Sequence, residues 1–230
     1  MHLLQPQPEV NTSLLVCTHS THQNTLLPDV VQLSPWPSSK LESEQVDWLI
    51  LHFNHWFSHH NVTLVRGEFE PEYFPANEHE PAKIQFAHGF FNSALHEISH
   101  WTIAGAKRRL LPDLGYWYAP DGRTKEQQDL FEQVEIKPQA IEWLFAQSFG
   151  RKFRVSLDNL TGDGGDGKKF KDNVYIQVQR YFSGEAKLPV DAARFIECIC
   201  QCTRSGTALS LIHISEPTRP SHISRMPSSA

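Results

Sequence analysis

The chain has 230 residues, enough for one or two domains. It is 40% hydrophobic, 11% aromatic and 20% charged, which suits a globular core and excludes a fibrous or wholly disordered chain. A net charge of −5 opposes a broad positive field for nucleic acid, no apolar run approaches the ~18 residues of a membrane span, and thirteen histidines are an unusual load of the commonest protein metal ligand.

Residues 1–40, rich in proline, serine, threonine and glutamine, show no persistent period and read as a flexible extension. The first residues have neither a basic n-region nor an apolar h-region, so no secretory signal is expected. From Leu41 the texture changes. Val46, Leu49, Ile50, Phe53, Trp56 and Phe57 share one face and predict an amphipathic helix over 43–58. His52, His55 and His59 form a stripe beside that face and read as its solvated flank. An extended piece at Val62–Arg66, a proline-rich loop at Glu70–Pro81 and a strand at Lys83–Ala87 follow.

A strong helix is predicted from Phe90 to Ala104, with Gly105 as its C-cap and His88 placed to approach the site or cap the helix. Lys107-Arg108-Arg109 reads equally as a solvated helix end or as a docking patch for an acidic partner. An aromatic, Gly/Pro-rich connection spans Leu110–Gly122, in which Tyr116, Trp117 and Tyr118 either pack in the core or wall a pocket. A second helical region covers 125–149. Thr124 with Gln127 fits a capping box, Leu130, Phe131 and Val134 mark a face, and Pro138 is expected to kink or restart the helix. A Gly/Asp loop at 161–167 and helices near 170–183 and 190–202 complete a domain at 41–203. The loop sequence Gly162–Lys169 nearly matches a phosphate-binding loop, but Asp163 and Asp166 would repel phosphate. The tail 204–230 contains LSLIHISEPTRP, which resembles a translated sequencing-library adapter, and reads as disordered and non-native. Cys17 stands alone, and Cys198, Cys200 and Cys202 alternate in neither redox nor zinc-ribbon spacing. They are read as reduced thiols in a cytoplasmic protein.

His96-Glu97-Ile98-Ser99-His100 is HExxH within the strongest helix. Four residues advance a helix by ~6 Å and about one turn, so both imidazoles leave the same face and can meet one ion. Glu97, one residue along, is directed near the open positions, where it can take a proton from bound water or hold substrate. A third protein ligand is needed, and no later histidine precedes the tail. It must be a carboxylate of the second helical region, among Glu126, Asp129, Glu132, Glu135 and Glu142. Glu135, between Val134 and Ile136, is favoured as an acid in an otherwise apolar stretch.

The segments FAHGFFNSALHEISHWTIAG (86–105), DLGYWYAPDGR (113–123) and FEQVEIKPQAIEWLF (131–145) carry a resemblance to the bacterial elongation factor P hydroxylase family, spanning roughly 44–203. That resemblance implies a non-haem iron protein that hydroxylates a lysine of elongation factor P already bearing a β-lysyl group. It places the metal ligands on His96, His100 and Glu135, with Glu97 beside the metal, Fe(II) as the ion and O2 as cosubstrate. The expected architecture is a helix-rich α+β single domain, zincin-like around an HExxH helix and a second helix. Two histidines and a carboxylate also suit zinc, so Zn(II) is an alternative occupant and a zinc metallopeptidase using Glu97 as general base an alternative activity. A non-catalytic, metal-containing binding protein for elongation factor P is the other alternative. No histidine has an acid two places later, so nothing supports a 2-oxoglutarate requirement. The long cationic arm of such a substrate calls for acids at the rim, with Asp113, Asp121 and Asp158 as candidates and Tyr116 as a lining residue. Neither nucleic acid nor membrane is expected as a partner.

Overall fold

A computed structural model describes residues 34–116, 124–156 and 167–203. Residues 1–33, Trp117, Tyr118, Asp121, Asp158, the loop 161–166 and the tail 204–230 lie outside the described residues. The chain forms helix α1 (Glu42–Trp56), strands β1 (Val62–Arg66), β2 (Glu72–Phe74) and β3 (Ala82–Phe86), then helices α2 (Phe91–Arg108), α3 (Lys125–Ser148), α4 (Gly167–Phe182) and α5 (Val190–Thr203). This is a helix-rich α+β fold with five helices and one three-stranded sheet among the described residues. No helix of the described residues is long and apolar enough to cross a membrane.

The sheet order is β1-β3-β2, with β3 parallel to β1 (Leu64 opposite Ile84) and antiparallel to β2 (Tyr73 opposite Ile84). Ala82, Ile84 and Phe86 alternate inward from the central strand, as a two-residue period dictates. The expected loop at 70–81 therefore holds a short strand. Three residues are too few for a periodic signal, and β2 is fixed instead by Asp113, whose Oδ1 accepts a hydrogen bond from Tyr73 N at 3.1 Å.

Helix α2 is central, packing against α3, β3, α5 and α1. Its apolar back is Phe91, Ala94, Leu95, Ile98 and Trp101, all essentially buried. Trp101 lies edge-on to Phe53 and Phe57 at 5.6 and 5.2 Å between ring centroids. Such T-shaped pairs add ~0.5–1.5 kcal/mol beyond area burial, so the residue after His100 is an anchor of the core. No side chain of its own caps α2. Instead Glu42 Oε1, from the first turn of α1, accepts from Phe91 N at 3.1 Å. His88 is exposed with φ +53° and does not cap the helix. Gly105 adopts φ +67°, which ends the regular helix where expected, before one further turn to Arg108.

Several expectations need correction. Pro138 neither ends nor restarts α3, which runs through it with the Thr124–Gln127 capping box intact at its start. The proline costs the Val134 carbonyl its helical donor, and burial of the following half, including Ala140, Ile141, Leu144 and Phe145, outweighs that loss. Leu130 and Val134 are exposed rather than core-facing. His52 is fully buried, not solvated. Its ring stacks on Trp48 at 3.7 Å, with Nδ1 2.8 Å from Trp48 O and Nε2 3.0 Å from Ser34 O. The stretch 34–40, assigned by composition to the extension, seats one side chain, Trp36, against the core. Trp36 packs on Trp48, Phe91 and Phe149 at 4.8–5.7 Å. Arg109 is committed to the fold: its Nη2 meets Asp191 Oδ2 at 2.6 Å and its guanidinium lies 3.6 Å from the Trp101 ring centre. Cys198, Cys200 and Cys202 form no disulfide among the described residues, and burial pushes the Cys198 thiol up to about 12, far from the reactive thiolate.

Candidate metal centre

Helices α2 and α3 cross with opposite polarity, so His96 faces Glu142 while His100 faces Glu135. His96 and His100 are one turn apart on α2. Glu135 and Glu142 are seven residues apart on α3, about two full turns, and occupy one stripe. The convergence follows from these two spacings. His96 Nε2 and His100 Nε2 are 3.1 Å apart, Glu135 Oε1 is 3.2 Å from His100 Nε2, and Glu135 Oε2 is 3.6 Å from His96 Nε2. One ligand atom each from His96, His100 and Glu135 lies within 4.8 Å of the others.

These groups are poorly served by one another. Glu135 is 2% exposed, and among the described residues its buried Oε2 has no hydrogen-bond partner; His100 Nδ1 is in the same position. A buried orphan oxygen costs ~1–3 kcal/mol, more when charged, unless something else satisfies it. Two donors ~2.1 Å from a common ion and at right angles to each other are ~3.0 Å apart, so the donor spacings fit a single divalent cation. Two neutral nitrogens and one carboxylate on one side, with positions left open, match the facial set used by non-haem Fe(II) and also by zinc.

The electrostatics are those of a crowded acidic nest. Burial lowers the His96 pKa, but the hydrogen bond and charge of Glu142, followed by Glu135 and Glu97, outweigh it and raise it to about 10. Burial works to raise Glu135, yet His100 and His96 hold it below the usual carboxylate value. Burial pushes the Glu97 carboxyl up, opposed by the two imidazoles and assisted by Glu135 and Glu142.

Tyr116 brings its ring edge-on to His100 at 5.7 Å and is itself covered by the Arg108 guanidinium, 3.6 Å from its ring centre. Arg108 also donates to Leu114 O at 2.7 Å, so the basic triplet largely holds this corner together. Asp113 lies on the same turn, bonded to Tyr73 N. Of the residues expected at the site, the structure brings together His96, Glu97, His100, Glu135 and Tyr116. Glu142, one of five carboxylates considered as the third ligand, instead accepts from the outer nitrogen of His96: Nδ1 to Oε2 is 2.9 Å. Its spacing of seven from Glu135 was the available signal.

Residues 52–210 match the family model described as elongation factor P hydroxylase. The chain belongs to the elongation factor P hydroxylase family. Within it, the chain is 52% identical over 135 residues to the elongation factor P lysine hydroxylase of Haemophilus influenzae, covering 58% of this chain and 76% of that protein. The family match contains α2, α3 and all four residues of the His–Glu nest.

Proposed function

We propose that the protein hydroxylates a lysine side chain of elongation factor P, one that carries a β-lysyl group, at a metal centre held by His96, His100 and Glu135. The observation carrying this reading is the convergence of two imidazole Nε2 atoms and a buried, partly orphaned carboxylate within a chain of this family. In this reading the architecture is zincin-like in one respect: an HExxH helix crossed by a second helix that brings the carboxylate.

Fe(II) bound there would supply the activation of O2 that C–H hydroxylation needs, with Zn(II) as an alternative occupant. The protein's own contribution is positional. His96 and His100 present Nε2 from a helix whose back is locked by Trp101, and Glu135 presents its carboxylate from the rigid interior of α3. Glu97, with its raised pKa, stands beside the centre and can hold or release a proton there. Tyr116 forms the wall next to His100. The cationic arm would be met by acids at the mouth: Asp121, Asp158 and the second oxygen of Asp113. Glu97 and Glu142 add negative charge closer in and offset the charge of a divalent ion.

The deciding experiment is intact mass of β-lysylated elongation factor P after incubation with the Fe(II)-loaded protein. A gain of one oxygen under air, absent without O2 and absent with Glu135→Ala, supports the proposal. Cleavage of the factor without oxygen incorporation, by the zinc-loaded protein, would support the peptidase reading. Binding with no covalent change would leave only a partner for the factor.

A further inference from the structure

The two histidines of the centre are not equivalent. His96 has its outer nitrogen bonded to the buried Glu142, with Nδ1 2.9 Å from Oε2, whereas His100 Nδ1 is buried with no partner among the described residues. We infer that Glu142 is a positioning residue: it accepts from His96 Nδ1, fixes that ring, and so points Nε2 at the metal position before any ion arrives, with Nδ1 keeping its proton once Nε2 binds the metal. The inference rests on the proposed metal centre and adds a fourth protein residue to it.

Geometry carries the argument. An imidazole bonded through Nδ1–H to a carboxylate has its tautomer and its rotation about the Cβ–Cγ bond set together. Glu142 is 8% exposed and lies on α3, in the same stripe as Glu135, so one rigid helix supplies both the carboxylate facing the metal position and the one behind it. Glu142 Oε2 sits on the ring edge that carries Nδ1, and the site lies at Nε2, so this oxygen is not among the converging donors. For His100 Nδ1 no such partner is found among the described residues. Its orientation comes from packing under Tyr116 and from Glu135, which meets it on the metal side. The centre is therefore half pre-set, and loss of Glu142 removes the pre-set half.

The test uses the full chain, stripped of metal and titrated with Co(II) without oxygen, following the visible spectrum of the bound ion. Wild type, Glu142→Ala, Glu142→Gln and Glu135→Ala are compared at one pH, each first checked for cooperative thermal unfolding in the metal-free state. Outer-sphere partners of metal-bound histidines are worth 10–100-fold in affinity. The expected result is a loss of about that size in Glu142→Ala with one Co(II) still bound. Glu142→Gln, which can still accept the Nδ1 proton, should recover at least a third of the lost affinity on a logarithmic scale and restore the wild-type spectrum. Wild-type affinity and spectrum in Glu142→Ala, beside lost binding in Glu135→Ala, would overturn the positioning role alone. Complete loss of Co(II) in both Glu142 variants would overturn it by making Glu142 a ligand. Unchanged binding in Glu135→Ala would instead remove the metal centre, and the positioning role with it.

Discussion

In the metal-free protein the His96 imidazole should be charged at neutral pH, and that charge should leave a signature in stability. Its folded pKa of about 10 stands above its ordinary 6.5, so the stabilisation is fully present below pH 6.5 and lost as pH rises through 10. Each pH unit in that window removes on the order of 1 kcal/mol, giving roughly 2–3 kcal/mol between pH 7 and pH 9. Glu135, held below its ordinary value, loses its contribution only in acid, whereas the raised Glu97 carboxyl and, near pH 9, the raised thiols of Cys198 and Cys202 are common to wild type and His96→Ala, so the difference between the two reports His96. At ~2–4 °C per kcal/mol, the chelator-treated protein should melt on the order of 4–12 °C lower at pH 9 than at pH 7. Metal binding at Nε2 removes the same proton beforehand, so the loaded protein should lack this fall and metal affinity should rise about tenfold per pH unit across the window. Thermal unfolding followed by circular dichroism, with chelator or with saturating Zn(II), measures the first. His96→Ala in the metal-free state is the control. Equal melting temperatures at pH 7 and 9 without metal, or a fall that persists in His96→Ala, would refute the reasoning.

Glu97→Gln should keep metal affinity within a few-fold of wild type while hydroxylation falls at least tenfold, measured by Co(II) titration beside the mass assay; parallel loss of both would make Glu97 a ligand. Asp191→Ala strips Arg109 and His60 of their shared partner at the start of α5, and because Arg109 and Asp191 keep only 13% and 16% exposure, about 2–4 kcal/mol should be lost in urea unfolding. Thr124→Ala, which opens the capping box of α3, should cost ~1 kcal/mol in the same assay and leave metal affinity unchanged, since Glu135 lies three turns further on.

How much of this was legible in the sequence differs element by element. Helices α1 and α2 announced themselves through their apolar stripes, and the HExxH spacing alone put two imidazoles on one face. Glu135 was picked for its apolar neighbours, yet Val134 is 37% exposed and Ile136 only half-buried. The acid is buried because its own phase on α3 points at α2, and helical phase against a partner helix cannot be read from adjacent residues. The same gap hid the role of Glu142 and the exposure of Leu130. His52 read as solvated because histidine usually is near a surface; its burial depends on two carbonyls, one of them eighteen residues away at Ser34. Pro138 was expected to kink or restart the helix on local rules, and α3 continues through it without a restart because its following half is buried.

The seating of Trp36 bears on where the smallest folding unit begins. A fragment starting at Leu41 would delete the indole that fills the space among Trp48, Phe91 and Phe149, and with it the Ser34 carbonyl that receives the Trp48 indole N–H at 2.9 Å. Trp36 is only partly buried, so its removal should cost less than the ~3–5 kcal/mol of a fully buried tryptophan, yet still a real share of an ordinary domain's ~5–15 kcal/mol. Phe91 opens the helix that carries both histidines, so trimming the apparently featureless leader would loosen the metal helix at its first turn.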